Sequence, residues 1–197
     1  MQILLQKDAL AAATASLRRD GVVAAPTETV YGLMARWDSS TARERIFHLK
    51  HRPQNKQLQM LIASPADLAN YHLRNQDWID AIGSRFWPGP LTLIVETDDG
   101  TTIGARVPAH PFVISLIRAL GTPVAATSAN LSGEPPATTA QDAVAHLDGT
   151  PDVLVDGGVV TVTQGSASTV ASIVGRKLTI LREGPITLND LSAVLAP

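Results

Sequence analysis

Four segments of this chain concentrate side chains able to hold or transform a small polar ligand. The run Pro26-Thr27-Glu28-Thr29-Val30-Tyr31-Gly32 directly follows an apolar stretch that reads as a buried strand. Ligands of open α/β sheets gather beyond the carboxyl ends of strands, so two threonines, a carboxylate and a tyrosine placed there can meet a substrate. The same hydroxyls also serve a plain turn, where they satisfy nearby backbone groups. The second segment is the basic cluster Lys50-His51-Arg52-Pro53, with Lys56 shortly after. Lys50 and Arg52 suit a helix C-terminus, worth about 0.3–1 kcal/mol each. That leaves Lys56 beyond the proline unexplained, and three cations converging on a loop can hold a triphosphate.

The third segment, Ala125-Ala126-Thr127-Ser128-Ala129-Asn130-Leu131-Ser132-Gly133, runs an apolar strand into a hydroxyl and a carboxamide. Ser128 and Asn130 share a face if extended geometry persists, and together they can read a phosphate oxygen and a carboxylate. An Asx or Ser turn ending a strand is the plainer alternative. No histidine lies nearby in sequence to activate Ser128, which argues against a hydrolase nucleophile. The fourth group is scattered: Arg106 before Val107-Pro108, Ser168-Thr169 after the loop Gly157–Ala167, and Arg182 after an apolar strand.

Absences narrow the chemistry. The chain has neither a G-x-x-x-x-G-K-[ST] phosphate loop nor a G-x-G-x-x-G fingerprint. Histidines 48, 51, 72, 110 and 146 lack zinc-type spacing, and the carboxylates form no tight metal cage, so no protein-held metal is expected. There are no cysteines, which removes disulfides and thiolates and fits a reducing compartment. A net charge of -2 gives no global attraction to nucleic acid.

The elements that must position these residues alternate between α and β. A helix is expected over residues 7–19, then a strand Val22–Ala25. Thr41-Ala42-Arg43-Glu44 has a capping-box pattern opening a helix with Ala42, Ile46 and Leu49 on one face. Strand Leu58–Ala63, a mostly helical stretch to Arg85 and strand Leu91–Glu96 follow. Thr102–Val107, Phe112–Leu120 and Pro123–Thr127 read as strand, helix and strand of a right-handed crossover, with Gly121 stopping the helix. Thr138-Thr139-Ala140-Gln141 is a second capping pattern, for a helix carrying Ala140, Val144 and Leu147. Strands Val153–Val155, Ser168–Ile173 and Leu178–Arg182 complete the chain, the last two joined at Gly175-Arg176. One domain spanning 1–197 is expected, with 45% hydrophobic and 17% charged residues, as in ordinary globular proteins. No apolar run nears the roughly 18 residues of a membrane helix. Lys7-Asp8 before and Arg18-Arg19 after Ala9–Leu17 is the wrong charge order for a signal peptide, so the cytoplasm is expected.

Taken together, the segments resemble the YrdC-like threonylcarbamoyl-AMP synthase family. The matching pieces are PTETVYGL (26–33), KHRP with Lys56 (50–56), WPGPLTL (87–93), ARVPAHP (105–111), TSANLSGEPPATT (127–139), STV (168–170) and LREGPI (181–186). Departures from the usual pattern stand at Met34, Gln57, Ala167 and Ser172. The resemblance implies a twisted mixed sheet flanked by helices around a large, concave, positively charged cavity. It also implies a reaction of ATP, L-threonine and bicarbonate that gives threonylcarbamoyl-AMP and pyrophosphate, which partner proteins use to modify adenosine 37 of tRNA. Lys50 and Arg52 would act as catalytic residues and, with Lys56, grip the ATP phosphates. Thr102, Asn130, Thr138 and Arg182 would complete the nucleotide site. Thr29, Arg106, Ser128 and Ser168 would hold threonine, and Mg2+ would ride on the ATP phosphates. The rival readings are a noncatalytic relative binding double-stranded RNA or tRNA and, ranked last, a carbamoyl-adenylate former using carbamoyl phosphate.

Overall fold

The computed structural model describes residues 1–161 and 167–195. The chain opens with β1 (Gln2–Leu5), α1 (Leu10–Arg18), β2 (Val23–Pro26), β3 (Tyr31–Arg36), α2 (Ser40–Leu49) and β4 (Gln59–Leu61). A 3-10 segment, Pro65–Tyr71, leads to α3 (Gln76–Phe86), β5 (Leu91–Glu96), β6 (Thr102–Arg106) and α4 (Pro111–Leu120). Then come β7 (Val124–Ser128), a short α5 (Asp142–Ala145), β8 (Val153–Asp156), β9 (Thr169–Val174), β10 (Lys177–Arg182) and α6 (Leu188–Leu195). The strands form one mixed sheet in the order β1-β8-β2-β3-β7-β4-β6-β5-β9-β10. The expected α/β architecture, a mixed sheet flanked by helices, is present.

Alternation along the strands explains where the core lies. Val23 and Ala25 of β2, Met34 of β3, Val124 and Ala126 of β7 and Leu61 of β4 point to one face, beneath α1 and α4. Ala24, Leu33, Ala35 and Ala125 point to the other, beneath α2. With both faces covered, these strands read as continuous apolar runs. The β6-β5-β9 part differs. Leu93, Ala105 and Ala171 pack with Ile79 of α3 and Leu191 of α6. Thr92, Gly104, Arg106 and Val170 project to the opposite face, the face that α1 and α4 cover further along the sheet. There the helical cover stops and a cavity opens.

Several boundaries differ from expectation. Helix α2 starts earlier: the Ser39 hydroxyl, not Thr41, accepts from the Ala42 N–H at 3.2 Å, because Ser39 is the residue with extended backbone. At the second capping pattern Thr139, not Thr138, accepts from the Asp142 N–H at 3.1 Å, and the helix is four residues long. The crossover reading is also corrected. β4 lies between β6 and β7, parallel to the first and antiparallel to the second, so β6 and β7 run in opposite senses and the handedness rule does not apply. Residues 162–166 of the expected loop Gly157–Ala167 lie outside the described residues.

Candidate active site

The threonine-rich segment after β2 is both a turn and a wall of the cavity. The Thr27 hydroxyl donates to the Val30 carbonyl at 2.7 Å and accepts from the Thr29 and Val30 N–H groups. The turn delivers Thr29 to the cavity and Tyr31 into the buried strand β3. Gly32 lets the strands lie close there, since a Cβ would come within 3.2 Å of the Thr127 carbonyl oxygen on β7, a tight contact. The Tyr31 hydroxyl donates to the Gly158 carbonyl at 2.7 Å and accepts from the Gly157 N–H at 3.1 Å. A loop 126 positions away is thereby tied to the site.

Beside Thr29, Arg106 ends β6 and is 3% exposed. Its guanidinium donates to the Gly89 carbonyl at 3.1 Å, to Glu28 Oε1 at 2.6 Å and to Thr29 Oγ1 at 3.3 Å. Arg182, at the end of β10, donates to the Ser168 carbonyl at 2.7 Å and to its hydroxyl at 3.0 Å. Ser168 lies 3.2 Å from the Thr92 hydroxyl, which donates to Gln59 Oε1 at 2.9 Å. The segments around Ser168 and Arg182 are locked together by the fully buried Thr169. Its hydroxyl accepts from the Ile186 N–H at 3.0 Å and donates to the Ile186 carbonyl at 2.8 Å.

The basic cluster folds back on the β7 loop. Lys50 is 1% exposed, and its ammonium donates to the Ser128 and Asn130 carbonyls. Burial, then the neighbouring Arg52 charge, pushes Lys50 down to about 8. An ammonium has three donors, and these two carbonyls take up two of them. Arg52 donates to the Lys56 carbonyl at 2.9 Å and the Gln57 carbonyl at 2.7 Å, which curls residues 52–57 into a compact loop. Asn130 departs from the extended geometry expected of it. Its side-chain amide donates to the Leu131 and Glu134 carbonyls, while Oδ1 is buried without a partner among the described residues.

The resulting cavity measures about 290 Å³. Of the residues singled out in the sequence, Thr29, Arg52, Arg106, Ser128, Ser168 and Arg182 line it. Lys50 and Asn130 stand behind the Ser128 wall, and Lys56 is exposed on the Arg52 loop. Thr102 lines an adjoining hollow of about 430 Å³ that shares Gln57 and Leu58 with the first. Thr138 is half-buried, and its carbonyl accepts from the Val160 N–H. The lining contains three arginines and, among the described residues, no aspartate or glutamate. Burial lowers the Arg52 and Arg182 pKa values, with the Arg106 charge adding to the effect on Arg182. Both arginines donate to carbonyl groups rather than carboxylates, so their charge remains available to an anion.

Thr92 and Gln59 were not singled out in the sequence as members of the site, and Glu28, within the first candidate run, had no partner assigned to it. Glu28 meets Arg106 across 78 positions and Thr92 meets Ser168 across 76, separations that no local pattern signals. Among the described residues no group of three His, Cys, Asp or Glu side chains gathers to hold a metal, and no helix is long and apolar enough to cross a membrane. Met34, one of the departures, is a fully buried core residue, and Gln57 contributes its carbonyl to Arg52.

The Sua5/YciO/YrdC family, described as telomere recombination, matches residues 15–184. A Bacillus subtilis protein named threonylcarbamoyl-AMP synthase is 39% identical over 198 residues, covering 95% of this chain and 57% of its own length. One of the same name from Escherichia coli K12 is 38% identical over 155 residues, covering 73% of this chain and 81% of its own. The structure of P. abyssi Sua5 complexed with L-threonine superposes with a TM-score of 0.89 at 31% identity, covering 99% of this chain and 61% of that one. The chain thus spans little more than half of the Bacillus subtilis relative's length.

Proposed function

The chain belongs to the Sua5/YciO/YrdC family, and we propose that it makes threonylcarbamoyl-AMP from ATP, L-threonine and bicarbonate in the cytoplasm, as a single domain over 1–197. The observation that carries this reading is the cavity: three arginines and the hydroxyls of Thr29, Ser128 and Ser168 on one wall system, with no carboxylate in the described lining. Two anions, a triphosphate and an amino-acid carboxylate, suit such a site, and the P. abyssi relative was solved with L-threonine.

The threonine amine bonds to the bicarbonate carbon, one C–O bond of bicarbonate breaks and water leaves, giving a carbamate. A carbamate oxygen then attacks the α-phosphorus of ATP, the bond to the β-phosphate oxygen breaks, and pyrophosphate leaves. No covalent enzyme intermediate is required. Arg52 and Arg182 balance the charge that grows on the departing pyrophosphate, and Lys50 adds its positive charge from behind the Ser128 wall. Lys56, Thr102, Asn130 and Thr138 frame the nucleotide. Arg106, Thr29, Ser128 and Ser168 hold the amino acid. The polar walls fix both reactants in place, and orientation alone can remove much of a bimolecular barrier. Magnesium carried by the ATP phosphates would supply charge neutralisation, since the described lining offers no carboxylate to hold it. The product passes to tRNA-modification proteins, which transfer the threonylcarbamoyl group.

Pyrophosphate release tests the reading. It should require ATP, L-threonine and bicarbonate together. Release that ignores threonine would remove the substrate assignment, and salt-sensitive RNA binding without turnover would replace the enzyme by a binding protein.

A further inference from the structure

Arg106 is held from several sides before any ligand arrives. Its Nε donates to the Gly89 carbonyl, and its Nη2 donates to both Glu28 and Thr29. A guanidinium carries five donors in a fixed plane. The two on Nη1 are therefore the ones without a protein acceptor among the described residues. Arg106 is almost wholly buried yet lines the cavity, so a ligand meets one edge of it.

Glu28 is poorly explained as a stabilising residue. Among the described residues its Oε2 is buried without a partner, and so is His110 Nδ1, on a ring whose protonation the Glu28 charge favours while burial opposes it. Buried polar atoms without partners destabilise a fold. Glu28 also sets Arg106 apart electrically. Of the three cavity arginines, Arg106 alone is paired with a carboxylate among the described residues, whereas Arg52 and Arg182 rest on neutral carbonyl and hydroxyl groups. A neutralised guanidinium with one free edge suits a singly charged carboxylate, and the two unneutralised ones suit a polyphosphate.

We infer that Glu28 is a positioning residue that fixes the plane of Arg106 and reserves its Nη1 edge for the substrate carboxylate. This rests on the proposed reading of the cavity as the threonine site. Glu28 acts through Arg106 and does not touch the reacting atoms.

The test is calorimetric titration of the full chain with L-threonine and separately with ATP, for wild type, Glu28→Ala and Glu28→Gln, alongside thermal melting. Losing the carboxylate frees the guanidinium to turn, and small misplacements are costly in oriented sites. Threonine should bind roughly tenfold or more weakly to Glu28→Ala, on the scale such misplacements reach. Glu28→Gln, which keeps an acceptor oxygen, should recover part of the loss. ATP affinity should stay within about twofold, since Arg52 and Arg182 are untouched. Threonine affinity equal to wild type in both variants overturns the inference. So does a fall in ATP affinity and melting temperature in step with threonine, which would mark a structural role. A wild-type chain that binds no threonine would instead remove the functional reading on which the inference stands.

Discussion

Lys50 and Ser128 lie 78 positions apart, yet the Lys50 ammonium donates to the Ser128 carbonyl and, two residues on, to that of Asn130. One buried cation thus ties the end of α2 to the end of β7 and shapes the wall that Ser128 presents to the cavity. The segments Lys50-His51-Arg52 and Ser128-Ala129-Asn130 thus meet through a contact that neither discloses alone.

That contact has a pH signature. With the folded pKa near 8 and the ordinary lysine value at 10.5, the unfolded chain binds more protons between those limits. The Lys50 contribution to stability should therefore grow as pH rises from 8 to 10.5, and fade as pH falls back through 8. Urea denaturation of wild type and Lys50→Met across this range isolates it, because other alkaline titrations cancel in the difference. A wild-type advantage that is constant with pH, or shrinks, would show that the ammonium is not buried as described.

Arg52→Ala removes a cavity charge and opens the loop that its guanidinium closes on Lys56 and Gln57. A charged hydrogen bond is worth about 1.5–3 kcal/mol, so turnover in pyrophosphate release should fall about ten- to a hundredfold. A normal rate would take Arg52 out of the mechanism.

Ser168→Ala deletes the hydroxyl between Thr92 and Arg182 while leaving the Ser168 carbonyl that also anchors Arg182. The KM for threonine should rise several-fold with the KM for ATP little changed. Equal rises for both would place Ser168 at the nucleotide instead.

Tyr31→Phe strips the hydroxyl that holds Gly157 and Gly158, leaving the Gly157 N–H short of an acceptor. The expected loss is about 1–2 kcal/mol, read as a lower urea midpoint at unchanged slope. An unchanged midpoint would mean that water substitutes fully for the phenol.

Much of the sheet was legible because buried strands leave apolar runs; Leu91–Glu96 appears at the expected limits. β1 escaped notice as a short, largely exposed edge strand, and β3 because its first residues lie in a segment that reads as a turn. The arginines and hydroxyls were legible as residue types at strand ends. Their partners were not, since Glu28, Gly89 and Gln59 join the site only through tertiary packing. The sense of β6 relative to β7 escaped for a similar reason: β4, from earlier in the chain, is inserted between them.

The most direct measurement is a crystal structure of the chain with ATP and L-threonine bound. The account predicts both ligands in the cavity and the hollow that adjoins it, the threonine carboxylate against Arg106 and the phosphates against Arg52 and Arg182. Either ligand seated elsewhere on the molecule, with those three arginines left empty, would contradict it.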